Sequence, residues 1–131
     1  MKSILVFFAV LMGGLIYLHR SFQDGTVLQY IDAHPQDRGV PKATYYIGQT
    51  YYLFQELPQA TTYFLRVAER YPTLLLADEA YFSYLQCLDD NVSVSRADLI
   101  EGYKAYLEKY PQGRHADTAK DRLATYTTGA H

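Results

Sequence analysis

The sequence predicts an all-α protein: a single N-terminal transmembrane helix followed by a short array of antiparallel helix hairpins. Three observations carry that prediction. Residues 4–18 form one uncharged, mostly apolar run; Tyr-Pro or His-Pro pairs recur at nearly even intervals behind it; and between those pairs the apolar residues fall at steps of three and four. The composition suits such a chain. With 131 residues, 49% hydrophobic and 20% charged, it is long enough for one hydrophobic core and too apolar to be disordered. A net charge of −2 leaves no basic excess for neutralising phosphates, which argues against a general nucleic-acid binder. The single cysteine, Cys87, excludes an internal disulfide and any multi-cysteine zinc site.

The first element covers residues 1–22. Its apolar run, ILVFFAVLMGGLIYL, is preceded by Lys2 and followed by His19-Arg20. As a helix the run alone rises about 22 Å, short of a ~30 Å hydrocarbon core, whereas Met1 to Phe22 reaches about 33 Å with Lys2 and Arg20 snorkelling to the two surfaces. The stretch LIYLHRSFQDG behind Gly14 has no Ala-x-Ala pattern, so an uncleaved signal-anchor is the preferred reading and a cleaved signal peptide the alternative. No cysteine closely follows the run, so a lipoprotein anchor is excluded. Beyond residue 20 lie 10 Lys+Arg against 14 Asp+Glu, a net of −4, and an acidic domain behind a signal-like leader fits export. The expected location is the cytoplasmic (inner) membrane of a bacterium, single-pass, with the C-terminal domain in the periplasm. Residues 23–34 make a linker and short helix, with Ser21–Gly25 as the tether.

The remaining chain, 35–128, repeats itself. His34-Pro35 is followed by Ala43, Tyr71-Pro72 by Ala80 and Tyr110-Pro111 by Ala119, each alanine eight residues behind its proline. A proline cannot extend a helix and biases its predecessor away from the helical region, so each pair stops a helix. A small residue early in the next helix permits close packing on the one before. Within the first unit, about 37–72, Ala43, Ile47, Tyr51 and Phe54 mark one helical face and Ala60, Phe64, Val67, Ala68 and Tyr71 a second. Pro58 suits the first turn of the second helix. The next unit, about 76–111, has a helix over 77–88, a polar break over 89–94 and a new helix opened by Ser95, whose register with Asp98 resembles a capping box. A capping helix over 113–127 closes the domain, and the tail 128–131 is expected to fray.

Here the chain resembles the tetratricopeptide repeat (TPR) family. That pattern is Trp-x2-Leu-Gly-x2-Tyr, then Ala-x3-Phe, then Pro. This chain has Thr44-x2-Ile47-Gly48-x2-Tyr51, then Ala60-x3-Phe64, then Pro72, with Thr44 in place of the tryptophan. The Ala-x-Tyr-Tyr rhythm, with helices ending Arg-Tyr-Pro or Lys-Tyr-Pro, is similar to a narrower group, the periplasmic TPR proteins of the bacterial envelope. That group includes the outer-membrane β-barrel assembly lipoprotein and the Tol–Pal-associated coordinator, although this chain has no lipobox cysteine. The resemblance implies export and scaffolding.

Little in the sequence favours catalysis. His19, His34, His115 and His131 are scattered, with no metal-binding spacing, and there is no nucleophile elbow and no phosphate-cradling glycine loop. His34 is expected to pack or cap. Cys87 reads as a buried, unreactive thiol, and Asp78-Glu79 and Asp89-Asp90 read as solvated helix ends. Neither a cofactor nor a small-molecule substrate is expected. Binding is the better reading. In the resembled family the first helix of each unit lines a concave surface that takes peptides or partner helices. On this chain that stripe is Lys42, Tyr45, Gln49 and Tyr52, continued by Glu79, Phe82, Gln86 and Asp89. Tyrosine offers large contact area with few rotatable bonds. Tyr45 and Tyr52 stand evenly between partner contact and internal packing; Tyr51 and Tyr63 are assigned to packing between hairpins. Arrays below three units are marginal alone, which points to a subunit of a larger assembly. The expected function is therefore a non-enzymatic, membrane-anchored scaffold or accessory subunit. It would dock onto other subunits of an envelope or energy-transducing membrane complex. The alternative is a soluble periplasmic peptide-binding adaptor released by cleavage.

Overall fold

The computed structural model describes residues 1–23 and 25–128; Asp24 of the expected tether and 129–131 of the expected fraying tail, His131 included, lie outside the described residues. Every regular element among the described residues is helical. The chain divides into two compact units, Met1–Asp37 and Arg38–His131.

The first unit holds α1 (Lys2–Gln23) and α2 (Thr26–Ala33). The α1 stretch Lys2–Ser21, 20 residues, is long and apolar enough to cross a membrane, and none of it is buried within the protein. Gly25 caps α2 at φ 76°, a left-handed conformation that costs glycine nothing. The helix ends at His34, whose Nδ1 lies 2.8 Å from the Tyr30 carbonyl oxygen and whose ring stacks on Tyr30 at 4.1 Å. His34 therefore packs and caps, as expected from its place before Pro35.

The second unit holds α3 (Val40–Leu53), α4 (Leu57–Arg70), α5 (Leu75–Asp90), α6 (Arg96–Lys109) and α7 (Ala116–Thr128). Several boundaries have a local cause. Pro41 and Pro58 occupy the first turns of α3 and α4, where a missing N–H is harmless. Ser95 Oγ accepts from the Asp98 N–H at 3.1 Å and opens α6. The residues before Pro72 and Pro111 end α4 and α6 in nearly one conformation, φ −125°, ψ 53° at Tyr71 and φ −129°, ψ 63° at Tyr110. His34 before Pro35 matches them at φ −125°, ψ 50°. The recurring stop read from the sequence is thus one backbone geometry used three times.

Successive helices pack on one another, α3 on α4, α4 on α5, α5 on α6 and α6 on α7. Two apolar clusters result. Tyr45, Ala60, Phe64, Val67, Ala68, Ala80 and Cys87 join α3, α4 and α5; Phe82, Leu85, Tyr103, Tyr106 and Ala119 join α5, α6 and α7. Helix α5 serves both. Close approach is set by glycine at two seams: a Cβ on Gly48 would stand 2.9 Å from the Phe64 ring, and one on Gly102 would stand 2.7 Å from Leu85 Cδ2.

Candidate functional site

The residues that carry the repeat register fall where packing needs them. Ala60, Ala80 and Ala119 are completely buried and Phe64 nearly so. Gly48 is buried, Ile47 and Tyr51 are half-buried, and Pro72 and Pro111 sit exposed in the breaks. Tyr51 stacks on Tyr63 at 5.5 Å, a packing contact within the α3–α4 hairpin and not between hairpins as expected. Thr44, standing where the repeat pattern has tryptophan, is buried and donates its hydroxyl to the Val40 carbonyl at 2.5 Å.

The stripe expected to bind a partner is divided by the structure. Lys42 and Gln86 are exposed, and Gln49 and Tyr52 are half-buried. Tyr45 and Phe82 are not surface anchors, which corrects the expectation of an exposed aromatic stripe. Tyr45 is 7% exposed, its ring 5.5 Å from Phe64 and its hydroxyl accepting from Gln49 Nε2 at 3.0 Å. Phe82 is 6% exposed and stacks on His115 at 4.1 Å and 6°. The cause is that each first helix touches a helix on two sides, so its apolar face is wider than one stripe. Glu79 is engaged as well: its carboxylate lies 2.9 Å from His115 Nε2.

The acidic pairs on α5 also differ from the expected solvated ends. They form a set of carboxylate acceptors for phenols from other helices. Asp90 accepts from Tyr52 of α3, and Asp78 from Tyr106 of α6. Asp89 accepts from Tyr103 of α6 at 2.6 Å and from Tyr126 of α7, with Arg122 Nη1 at 3.8 Å. Asp78 further accepts the Arg114 N–H at 2.9 Å. Asp89 and Asp90 occupy the last turn of α5, where the helix dipole disfavours negative charge and no basic residue stands. Phenol hydrogen bonds offset that cost. They also hold the phenols neutral: the Asp90 bond and burial push Tyr52 up to about 12, and burial with a carboxylate bond raises Tyr103, Tyr106 and Tyr126. No periodicity reveals these pairs, since the partners of Asp89 and Asp90 lie 14 to 38 residues away.

The large apolar side chains left outside the second unit's clusters sit on α3 and its C-cap, at the start of α5 and in the break before α6. Tyr46, Leu53, Phe54, Leu75 and Val92 are all large, hydrophobic and exposed. Ala43, Tyr46, Thr50 and Leu53 share one helical face by spacing, a signal present in the sequence and absent from the stripe predicted there. Among the described residues no group of three or more His, Cys, Asp or Glu is placed to hold a metal ion. Cys87 is buried and desolvation pushes its thiol up to about 12, which removes thiolate reactivity near neutral pH. A recess lined by Thr62, Leu65, Arg66, Glu69 and Arg70 runs along α4 alone and is open to solvent.

In comparison with known proteins, no protein-family model matches this sequence, and no curated protein matches it.

Proposed function

We propose that the chain is a membrane-anchored, TPR-like scaffold or accessory subunit that docks onto other protein subunits of an envelope or energy-transducing complex. One observation carries the reading: an apolar N-terminal helix, unburied over Lys2–Ser21, precedes in the chain a helical unit that leaves large apolar side chains uncovered. A soluble monomer rarely exposes that much apolar surface, and each part is accounted for by a different solvent, lipid for α1 and protein for the helical unit. In this reading α1 spans the bacterial cytoplasmic membrane once and α3–α7 lie on the periplasmic side. The sequence places the tether at Ser21–Gly25, but α1 runs through Gln23 and α2 follows from Thr26, so attachment in this reading rests on α1 itself, which confines the chain to the membrane and raises its effective concentration toward a membrane partner.

The helix-to-helix register supports a TPR-like array, because Ala80 and Ala119 each pack against the helix that precedes their own. Partner contact falls to the exposed Lys42 and Gln86, with the half-buried Gln49 and Tyr52 beside them. Capture of the tagged chain from native membranes in mild detergent tests the docking. Recovery with a stoichiometric second protein, lost on Lys42→Glu with Gln86→Lys, supports it; recovery of the chain alone under all gentle conditions counts against it.

A further inference from the structure

We propose that Asn91 is an asparagine-linked glycosylation site, the acceptor for an oligosaccharide carried on a polyisoprenyl diphosphate. The inference rests on one part of the reading above, export of the second unit, and on neither the retention of α1 nor a docking partner. Asn91 is the single asparagine among the 131 residues. It opens Asn91-Val92-Ser93, the Asn-x-Ser acceptor pattern with a residue other than proline in the middle.

The second unit puts that pattern where a glycan can be attached and carried. Residues 91–95 make the break between α5 and α6. Val92 is 100% exposed, Ser93 is exposed and Asn91 is partly exposed. Asn91 Oδ1 accepts the Ser93 N–H at 3.0 Å. That bond uses the oxygen end of the carboxamide and the backbone of Ser93, so the two groups the acceptor pattern needs, Asn91 Nδ2 and the Ser93 hydroxyl, take no part in it. The break is held at both ends. Asp89 and Asp90 just before it accept from Tyr103, Tyr126 and Tyr52, and Ser95 just behind it caps α6. Asn91 itself belongs to neither apolar cluster, so a bulky hydrophilic chain added there leaves the packing of both intact.

Backbone geometry gives asparagine no other reason to stand here. Asparagine is favoured at helix ends because it tolerates the left-handed conformation, yet Asn91 caps α5 at φ −88°, ψ 108°, extended backbone that any residue adopts. Its side-chain bond to the Ser93 N–H is one that aspartate makes equally well. Local structure thus requires neither the carboxamide nitrogen nor a hydroxyl two residues on, and glycan transfer requires both.

The transfer is a substitution at the anomeric carbon of the sugar. Asn91 Nδ2 forms a C–N bond to that carbon, the bond from the carbon to the diphosphate oxygen breaks, and the polyisoprenyl diphosphate leaves with the electron pair. Nδ2 gives up one of its two protons to a base of the transferase, and nothing is oxidised or reduced.

The test isolates the full chain from the cells that make it and measures its intact mass, with fragmentation of the peptide that spans Asn91. The expected mass exceeds that of the bare polypeptide by one oligosaccharide, with the sugar on Asn91. Asn91→Gln and Ser93→Ala are expected to return the bare mass, and Ser93→Thr to keep the oligosaccharide. Ser93→Ala retains the backbone N–H that Asn91 accepts, so loss of the sugar in that variant reports the acceptor pattern and not the shape of the break. A wild-type chain at the bare mass overturns the proposal. So does an oligosaccharide that persists in Asn91→Gln or Ser93→Ala, or one that sits on another residue. Protease added to intact spheroplasts separates this failure from failure of the reading above: an unmodified second unit that is digested is exported, and glycosylation alone is refuted, whereas one that is protected refutes both.

Discussion

Asp89 ties α5 to both α6 and α7 through one carboxylate, so a single change there tests how the helical unit is held. Its side chain is 15% exposed and serves two phenols at once, Tyr103 at 2.6 Å and Tyr126, with Arg122 at 3.8 Å. Asp89→Ala removes two hydrogen bonds to a charged acceptor, each worth roughly 1.5–3 kcal/mol. It leaves the Tyr103 hydroxyl stranded, because Tyr103 is only 1% exposed, whereas Tyr126 retains access to water. The exposed Arg122 adds little, its charge being screened. Against these losses stands the relief of a carboxylate at a helix C-terminus, about 0.3–1 kcal/mol. The losses win, and the net destabilisation is about 3 kcal/mol. Asp89→Asn keeps one acceptor oxygen and should lose about half as much. Urea unfolding of the full chain in non-ionic detergent, followed by far-ultraviolet circular dichroism, measures both. A cycle combining Asp89→Asn with Tyr103→Phe isolates the pair. A loss below about 0.5 kcal/mol for Asp89→Ala, on the scale of an ordinary surface substitution, refutes the claim that α5 holds α6 and α7 through this carboxylate.

The phenols make further predictions by the same route. Each of Tyr52, Tyr103, Tyr106 and Tyr126 has its pKa raised above the ordinary value of 10. The neutral phenol is therefore favoured in the folded state, the stabilisation is complete below pH 10, and it is lost as pH rises through the folded values; the urea midpoint should fall steadily between pH 10 and 12. Tyr110 is the internal contrast: its buried hydroxyl has no hydrogen-bond partner among the described residues, so Tyr110→Phe should be neutral or stabilising in the same assay. Gly48→Ala should cost about 1 kcal/mol net, because the clash with the buried Phe64 ring exceeds the gain in helix propensity, while Gly102→Ala should be closer to neutral because a flexible leucine methyl can give way. Tyr45→Ala should destabilise by about 3 kcal/mol as a core truncation and Tyr52→Ala by less, since Tyr52 is only half-buried; equal losses in urea unfolding would contradict that division.

Local chemistry was the legible part of this chain. The Tyr/His-Pro stops, the Ser95 cap, the prolines in first turns and the apolar spacing all act within a turn or two of sequence, and they place each helix of the second unit to within a few residues; α5 runs on through Asp89 and Asp90, which the sequence reading put in the break, and α7 starts at Ala116. Which face of a helix meets another was only partly legible. Gly48, Ala60, Ala80 and Ala119 were found because small residues leave a sequence mark at close contacts. Tyr45 and Phe82 were misplaced because an amphipathic helix touched on two sides buries more than a stripe, and periodicity does not report how many neighbours a helix has. Ala43 shows the same limit from the other direction: it shares the register of Ala80 and Ala119, yet stays exposed. The acceptor role of Asp78, Asp89 and Asp90 was illegible, since a carboxylate beside a helix end looks the same whether it meets water or a phenol from another helix.

The central claim is that α1 is a retained anchor and that the helical unit behind it grips protein. Native mass spectrometry of the chain extracted from membranes in mild detergent tests both parts at once. The account expects a chain that retains Met1, recovered from the membrane fraction within an assembly containing at least one other kind of subunit. A chain shortened by about 20 residues, recovered from the soluble fraction and free of any partner, would contradict it.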